Sequence, residues 1–120
     1  MPPADPRTLA RTVVEGCWSD PAGVERMRSL VAADYVHHTP FGDWTFAQFV
    51  AGLVWVESQI SGRTYRLDHV LVDGDLVATY FGWSGTRTAD GSAVDGRGAY
   101  HFRLADGRIR EDWDVFFPAG

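Results

Sequence analysis

Apolar residues recur at helical spacing through the first half of the chain and at strand spacing through the second. Leu9, Ala10, Val13, Val14 and Cys17 share one helical face behind a start at Asp5-Pro6 or Thr8, until the stretch from Gly16 to Pro21 interrupts it. Asp20-Pro21 supplies an N-cap and a proline at the first helical position, and Val24, Met27, Leu30 and Val31 carry a second stripe to about Ala33. Thr45 opens a third, longer run through Phe46, Phe49, Val50, Leu53, Val54 and Ile60 that Gly62 closes, with Gly52 the one weak point of its interior. From Tyr65 onward the period falls to two, and Asp73-Gly74 and Asp106-Gly107 lie between β-branched or apolar residues, where hairpin turns are expected. Three helices ahead of antiparallel strands predict an α+β fold. Each helix has one apolar stripe, so the helices must cover one face of the sheet, and a curved sheet wrapped on them leaves a pocket.

If Asp106-Gly107 is a two-residue turn, Ala105 faces Arg108, and counting outward pairs Arg103 with Arg110, His101 with Asp112 and Ala99 with Asp114. Alternation then puts Tyr100, Phe102, Leu104, Ile109, Trp113 and Val115 on one face. The other face carries His101, Arg103, Arg110, Asp112, Asp114 and Phe116. In that register Asp114 is a diagonal neighbour of His101, about 7 to 8 Å away between backbones, which a side chain or one water can bridge. A histidine–carboxylate pair is one reading of this face; a wet sheet surface with ion pairs of small energetic weight is the other.

Length and composition narrow the field. A chain of 120 residues suits one domain, 1–120, with a single core. Net charge is −5, and the arginines are scattered among acids with no basic stripe, so nucleic acid is not an expected partner. No apolar run approaches the roughly 20 residues of a membrane span, and the N-terminus lacks the charged head and apolar stretch of a signal peptide, which points to a cytoplasmic protein. Cys17 is the only cysteine, on a helical face where a thiol is more often core than nucleophile. There is no lysine, which removes Schiff-base chemistry through a chain lysine.

Three segments carry a family resemblance. Asp34-Tyr35-Val36-His37-His38-Thr39-Pro40 resembles a Y-x-x-H-x-P segment, Asp73-Gly74-Asp75-Leu76-Val77-Ala78 a G-D-x-V-A strand start, and Asp106 to Val115 a closing D-G-K-I-x-E-x-W-D-V strand, all as found in SnoaL-like polyketide cyclases of the nuclear-transport-factor-2-like superfamily. The resemblance implies a cone-shaped fold of three N-terminal helices on a strongly curved, mostly antiparallel sheet, an apolar cavity, a homodimer, and a cavity carboxylate helped by histidine without cofactor. It favours Asp114 and His101 pointing inward, among Phe81, Trp83 and Phe116, where burial would raise the carboxyl's pKa. His38 is the next catalytic candidate. His37, its neighbour on an extended segment, is expected to face solvent. Tyr35, Trp55, Phe81, Trp83, Phe116 and Asp112 are the expected substrate-contacting residues.

A sister group of epoxide hydrolases uses an aspartate–arginine–aspartate set, and its last aspartate aligns with Asp114. The other two positions hold Phe81 and Trp83, so that apparatus is incomplete. Some ring-closing cyclases carry a further carboxylate where this chain has Phe117. His37, His38, His101 and Asp114 have no H-x-H or H-x-x-x-H spacing, so no metal is expected. Gly82, Gly85, Gly91, Gly96 and Gly98 read as turn and bulge residues. Trp44, Phe46, Phe49, Trp55 and Trp83 suit either a packed core or a pocket for a flat ligand. Two functional readings follow: an enzyme acting on an apolar carbonyl compound through an enolate, by cyclisation or isomerisation, and a non-catalytic ligand-binding or dimerisation module of the same fold.

Overall fold

A computed structural model describes residues 5–118, the side chains of residues 116–118 excepted. Helix α1 (Pro6–Gly16) buries Leu9, Ala10, Val13 and Val14, the stripe that its spacing predicts. Helix α2 (Pro21–Arg26) is capped by Asp20, whose side chain accepts from the Gly23 N–H at 2.7 Å. It is shorter than its stripe suggests: a 3₁₀ turn over Met27–Leu30 ends it, and Val31 opens strand β1 (Val31–Thr39) where helix was expected to about Ala33. Strand β2 (Gly42–Trp44) folds back on β1, and Thr45 with Gln48 forms a capping box for α3 (Phe46–Gln59). Strands β3 (Ile60–Asp73), β4 (Leu76–Arg87), β5 (Ala93–Ala105) and β6 (Arg108–Pro118) follow.

The strands form one mixed sheet in the order β2-β1-β6-β5-β4-β3. Its pairs are antiparallel except β1 with β6, which run parallel because the chain returns to β1 from the far edge. Asp106 and Gly107, at φ 54 and 77, make the expected tight turn, both in the left-handed region that an Asp-Gly pair tolerates. The core lies between the helices and one sheet face, with Tyr100, Phe102, Ile109, Val77 and Phe81 from the strands against Val13, Val14, Val24 and Met27. Cys17 belongs to it, buried, and that burial raises its thiol above the usual pKa. No helix among the described residues is long and apolar enough to cross a membrane.

Two features set the position of α3, the wall of the site described below. Arg63, 3% exposed, donates to Glu57 at 2.6 Å, to the carbonyls of Ile60 and Trp18 at 2.8 and 3.0 Å, and to the Tyr65 hydroxyl at 3.1 Å, fastening the end of α3 to β3 and to the segment after α1. Gly52 accounts for the weak point in the helix. A Cβ there would meet the Trp44 ring at 2.9 Å, so glycine lets that indole lie against the helix.

Candidate functional site

The site is built by a period-two alternation in β1 and an irregularity in β6. Along β1, Tyr35 and His37 are buried on the helix-covered face, and His38 between sheet and solvent faces the other way. In the β5–β6 hairpin the register holds for Ala105 with Arg108 and Leu104 with Ile109, then shifts. Arg103 faces Glu111, Phe102 faces Asp112, His101 faces Trp113 and Tyr100 faces Asp114. Arg110 is the extra residue of a β-bulge, and one extra residue moves every later side chain of β6 to the opposite face. Asp112 and Asp114 therefore join Tyr100 and Phe102 on the inner face.

Those residues meet in one hydrogen-bonded cluster. Asp112, 0% exposed, accepts from the Tyr35 hydroxyl at 2.9 and 2.7 Å on its two oxygens, from the Tyr100 hydroxyl at 2.7 Å and from His37 Nδ1 at 2.6 Å. The other ring nitrogen of His37, Nε2, lies 3.1 Å from Asp114 Oδ1. A neutral imidazole has a lone pair on one nitrogen, and either lone pair would oppose a carboxylate oxygen here. With both carboxyl groups ionised, the doubly protonated ring is the form that fits. Burial pushes the His37 pKa down, but the bonds to Asp112 and Asp114 and their negative charges outweigh it and hold the imidazole up at about 9. Burial first, and the Asp112 charge second, push both the Tyr35 and Tyr100 phenols well above their ordinary range, so both remain donors.

This arrangement fixes the pH dependence of folding. A histidine whose pKa rises from 6.5 unfolded to about 9 folded contributes stability that is fully present below pH 6.5 and is lost as pH climbs through 9. The expected loss is about 3 kcal/mol across that interval. Urea titrations at pH 6 and pH 9.5 should show the midpoint falling on the alkaline side, and His37→Gln should flatten that dependence.

Asp114 is the member of the cluster that meets open space. Its side chain is 19% exposed and, with His37, forms the polar end of a cleft of about 660 Å³. The remaining walls are Thr39, Pro40 and Phe41 from the β1–β2 turn, Trp44, then Phe49, Gly52, Leu53, Trp55 and Val56 from α3, and Val115 from β6. Trp44 and Phe49 also lie against the His37 ring, with centroids 5.8 and 4.5 Å away.

Asp114, Asp112, Tyr35 and Trp55 all belong to the cluster or the cleft. His101 does not: the bulge leaves it exposed on the outer face beside Trp113, so the expected pairing with Asp112 does not form, and it lines instead, with His38 and an edge of Asp114, a separate and smaller concavity of about 280 Å³. His38 is also outside, bonded through Nδ1 to Asp43 at 2.7 Å and stacked on Trp113. His37, expected to face solvent, is 2% exposed and central. Phe81 and Trp83 are buried on the inner face but do not line the cleft; Phe81 packs on Trp18 and Tyr65. Phe116 pairs through its backbone with Gly98, and its side chain lies outside the described residues. His37 and Tyr100 were missed. The signal for His37 was present, since it is two residues from Tyr35 on an extended segment and so shares its face. Among the described residues no group of three or more His, Cys, Asp or Glu has metal-binding geometry.

The profile of the SnoaL-like domain matches residues 10–112. None of the curated proteins matches the chain by sequence. Among solved structures, IdmH from Streptomyces antibioticus, a provisionally assigned polyketide cyclase, superposes with a TM-score of 0.79 at 21% identity, over 92% of this chain and 89% of that one. AclR from Streptomyces galilaeus, a provisionally assigned hydroxylase, gives 0.79 at 19% identity over 92% and 74%. A protein of ketosteroid-isomerase-like fold from Catenulispora acidiphila, bound to trimethylamine, gives 0.74 at 17% identity over 93% and 86%.

Proposed function

This chain belongs to the SnoaL-like domain family, and from that premise we propose that it is a cofactor-independent enzyme acting by general acid–base chemistry on an apolar, carbonyl-containing small molecule. A small-molecule role, cyclase-type or ligand-binding, accords with its fold and with relatives assigned to cyclisation and hydroxylation. One observation carries the finer reading: the carboxylate of Asp114 faces an apolar cleft while His37, protonated at both nitrogens, has no lone pair to accept a proton. The base in this site is therefore Asp114.

In the proposed reaction Asp114 removes a proton from the carbon next to the carbonyl, becoming the neutral acid as the electron pair moves to the carbonyl oxygen. A protonated Asp114 is a poorer acceptor, which frees the His37 Nε2–H to stabilise the enolate oxygen. Return of the proton to a different carbon gives isomerisation. Attack of the enolate carbon on a second carbonyl, with the Asp114 proton passing to the new alkoxide, gives ring closure. Asp112 does not touch the substrate. It positions His37 and keeps it cationic, while Tyr35 and Tyr100 hold Asp112.

The test is exchange of the carbon-bound proton. In D₂O, with a panel of aromatic ketones and 1,3-diketones, the wild-type protein should catalyse deuterium entry next to the carbonyl, and Asp114→Asn should not. Binding of these compounds without exchange by the wild type would replace the enzyme reading with the ligand-binding one.

A further inference from the structure

The cluster carries an excess of negative charge. Asp112 is filled with donors and acts only as an acceptor, so it is an ionised carboxylate, and Asp114 is the second; against them stands one imidazolium. Among the described residues His37 is the only cation within ion-pair distance of either carboxylate. The one buried arginine among the described residues, Arg63, is committed to Glu57 at 2.6 Å. A net charge of about −1 beside an apolar cleft is poorly screened and calls for a counter-charge.

The walls of the cleft suit a cation of a particular kind. Trp44 and Phe49 already present their rings to the His37 imidazolium, and two further aromatics stand free at the mouth, Phe41 at 92% exposure and Trp55 at 65%. No lysine or arginine lines the cleft, and its one cationic group, His37, is already held between Asp112 and Asp114, so a carboxylate entering it would meet the Asp114 charge with no free cation to offset it. Aromatic faces beside a carboxylate bind a large, weakly hydrated organic cation well, through the negative faces of the rings and the excess negative charge at Asp114.

We propose that this cleft selects ligands bearing a protonated alkylamino or quaternary ammonium group, seated on Trp55 and Phe41 near Asp114, and rejects carboxylates. The inference takes from the proposed function only that the cleft is the ligand site. If that function also holds, its substrate is an otherwise apolar carbonyl compound bearing one amino group, any acid group of which must be masked by an earlier esterification or amidation.

Three probes of matched shape test this: benzyltrimethylammonium, its uncharged carbon isostere neopentylbenzene, and phenylacetate, each titrated by tryptophan fluorescence and calorimetry at pH 7. The cation should bind about tenfold tighter than the isostere, with phenylacetate weakest. Asp114→Asn should remove the preference while keeping affinity for neopentylbenzene. Trp55→Leu, at an exposed position that folding does not depend on, should weaken the cation more than the isostere. Equal or tighter binding of neopentylbenzene, a preference that survives both substitutions, or binding of none of the three would overturn the proposal. Loss of cation selectivity with proton exchange intact would sink this inference alone; selectivity without exchange would sink the catalytic reading alone.

Discussion

Replacing Asp112 with alanine is expected to remove about 3–5 kcal/mol of folding stability, the largest effect of any single change in this site. The carboxylate is fully buried and accepts from three side chains, so its loss strands two phenols and half of an imidazolium without partners. A domain of this size has about 5–15 kcal/mol in total, and the variant would be close to its unfolding threshold. Urea unfolding midpoints measure the effect. Tyr35→Phe and Tyr100→Phe, which each delete one bond to the charged group, should cost about 1.5–3 kcal/mol apiece. Asp112→Ala should also shrink the alkaline loss of stability, because the first of the hydrogen bonds raising the His37 pKa has gone while that to Asp114 remains. A cost below about 1 kcal/mol would mean that the cluster is hydrated and contributes little.

The second large effect falls on turnover. Asp114→Asn should lower the rate of carbon-bound proton exchange by about 10²–10⁴-fold, the range for removal of a positioned general base. The fold should survive, since Asp114 is partly open to the cleft and the asparagine carbonyl oxygen can still accept from His37 Nε2. A base deletion should reduce kcat with KM little changed. His38→Ala and His101→Ala provide the contrast. Both side chains lie on the outer face of the sheet, and exchange by both variants should stay within about twofold of wild type.

The contrast between those histidines also marks where the sequence stops being readable. Helices α1 and α3, the tight turn at Asp106-Gly107 and the α+β class follow from spacing and turn chemistry, and the structure has them. Asp114 follows from motif resemblance, and the structure places it in the lining of the aromatic cleft. The register of β6 does not follow, because the bulge at Arg110 has no glycine or proline to mark it, and a single inserted residue exchanges the faces of Asp112 and Asp114. His101 was consequently assigned to the wrong side. The end of α2 is hidden for a different reason: Leu30 and Val31 extend the helical stripe, yet Val31 is also a good first strand residue, and pairing with Ile109 decides in favour of the strand. His37 was legible by alternation from Tyr35, and was passed over in favour of the histidine that the motif aligns.

In the proposed site His37 is an imidazolium held between Asp112 and Asp114, with Asp114 left as the base. Long-range ¹H–¹⁵N correlation of the histidine rings tests it directly, with His37 assigned by the signal that disappears in His37→Gln. At pH 7 both ring nitrogens of His37 should be protonated, and the ring should titrate near pH 9. A His37 ring with one unprotonated nitrogen at pH 7 would contradict it.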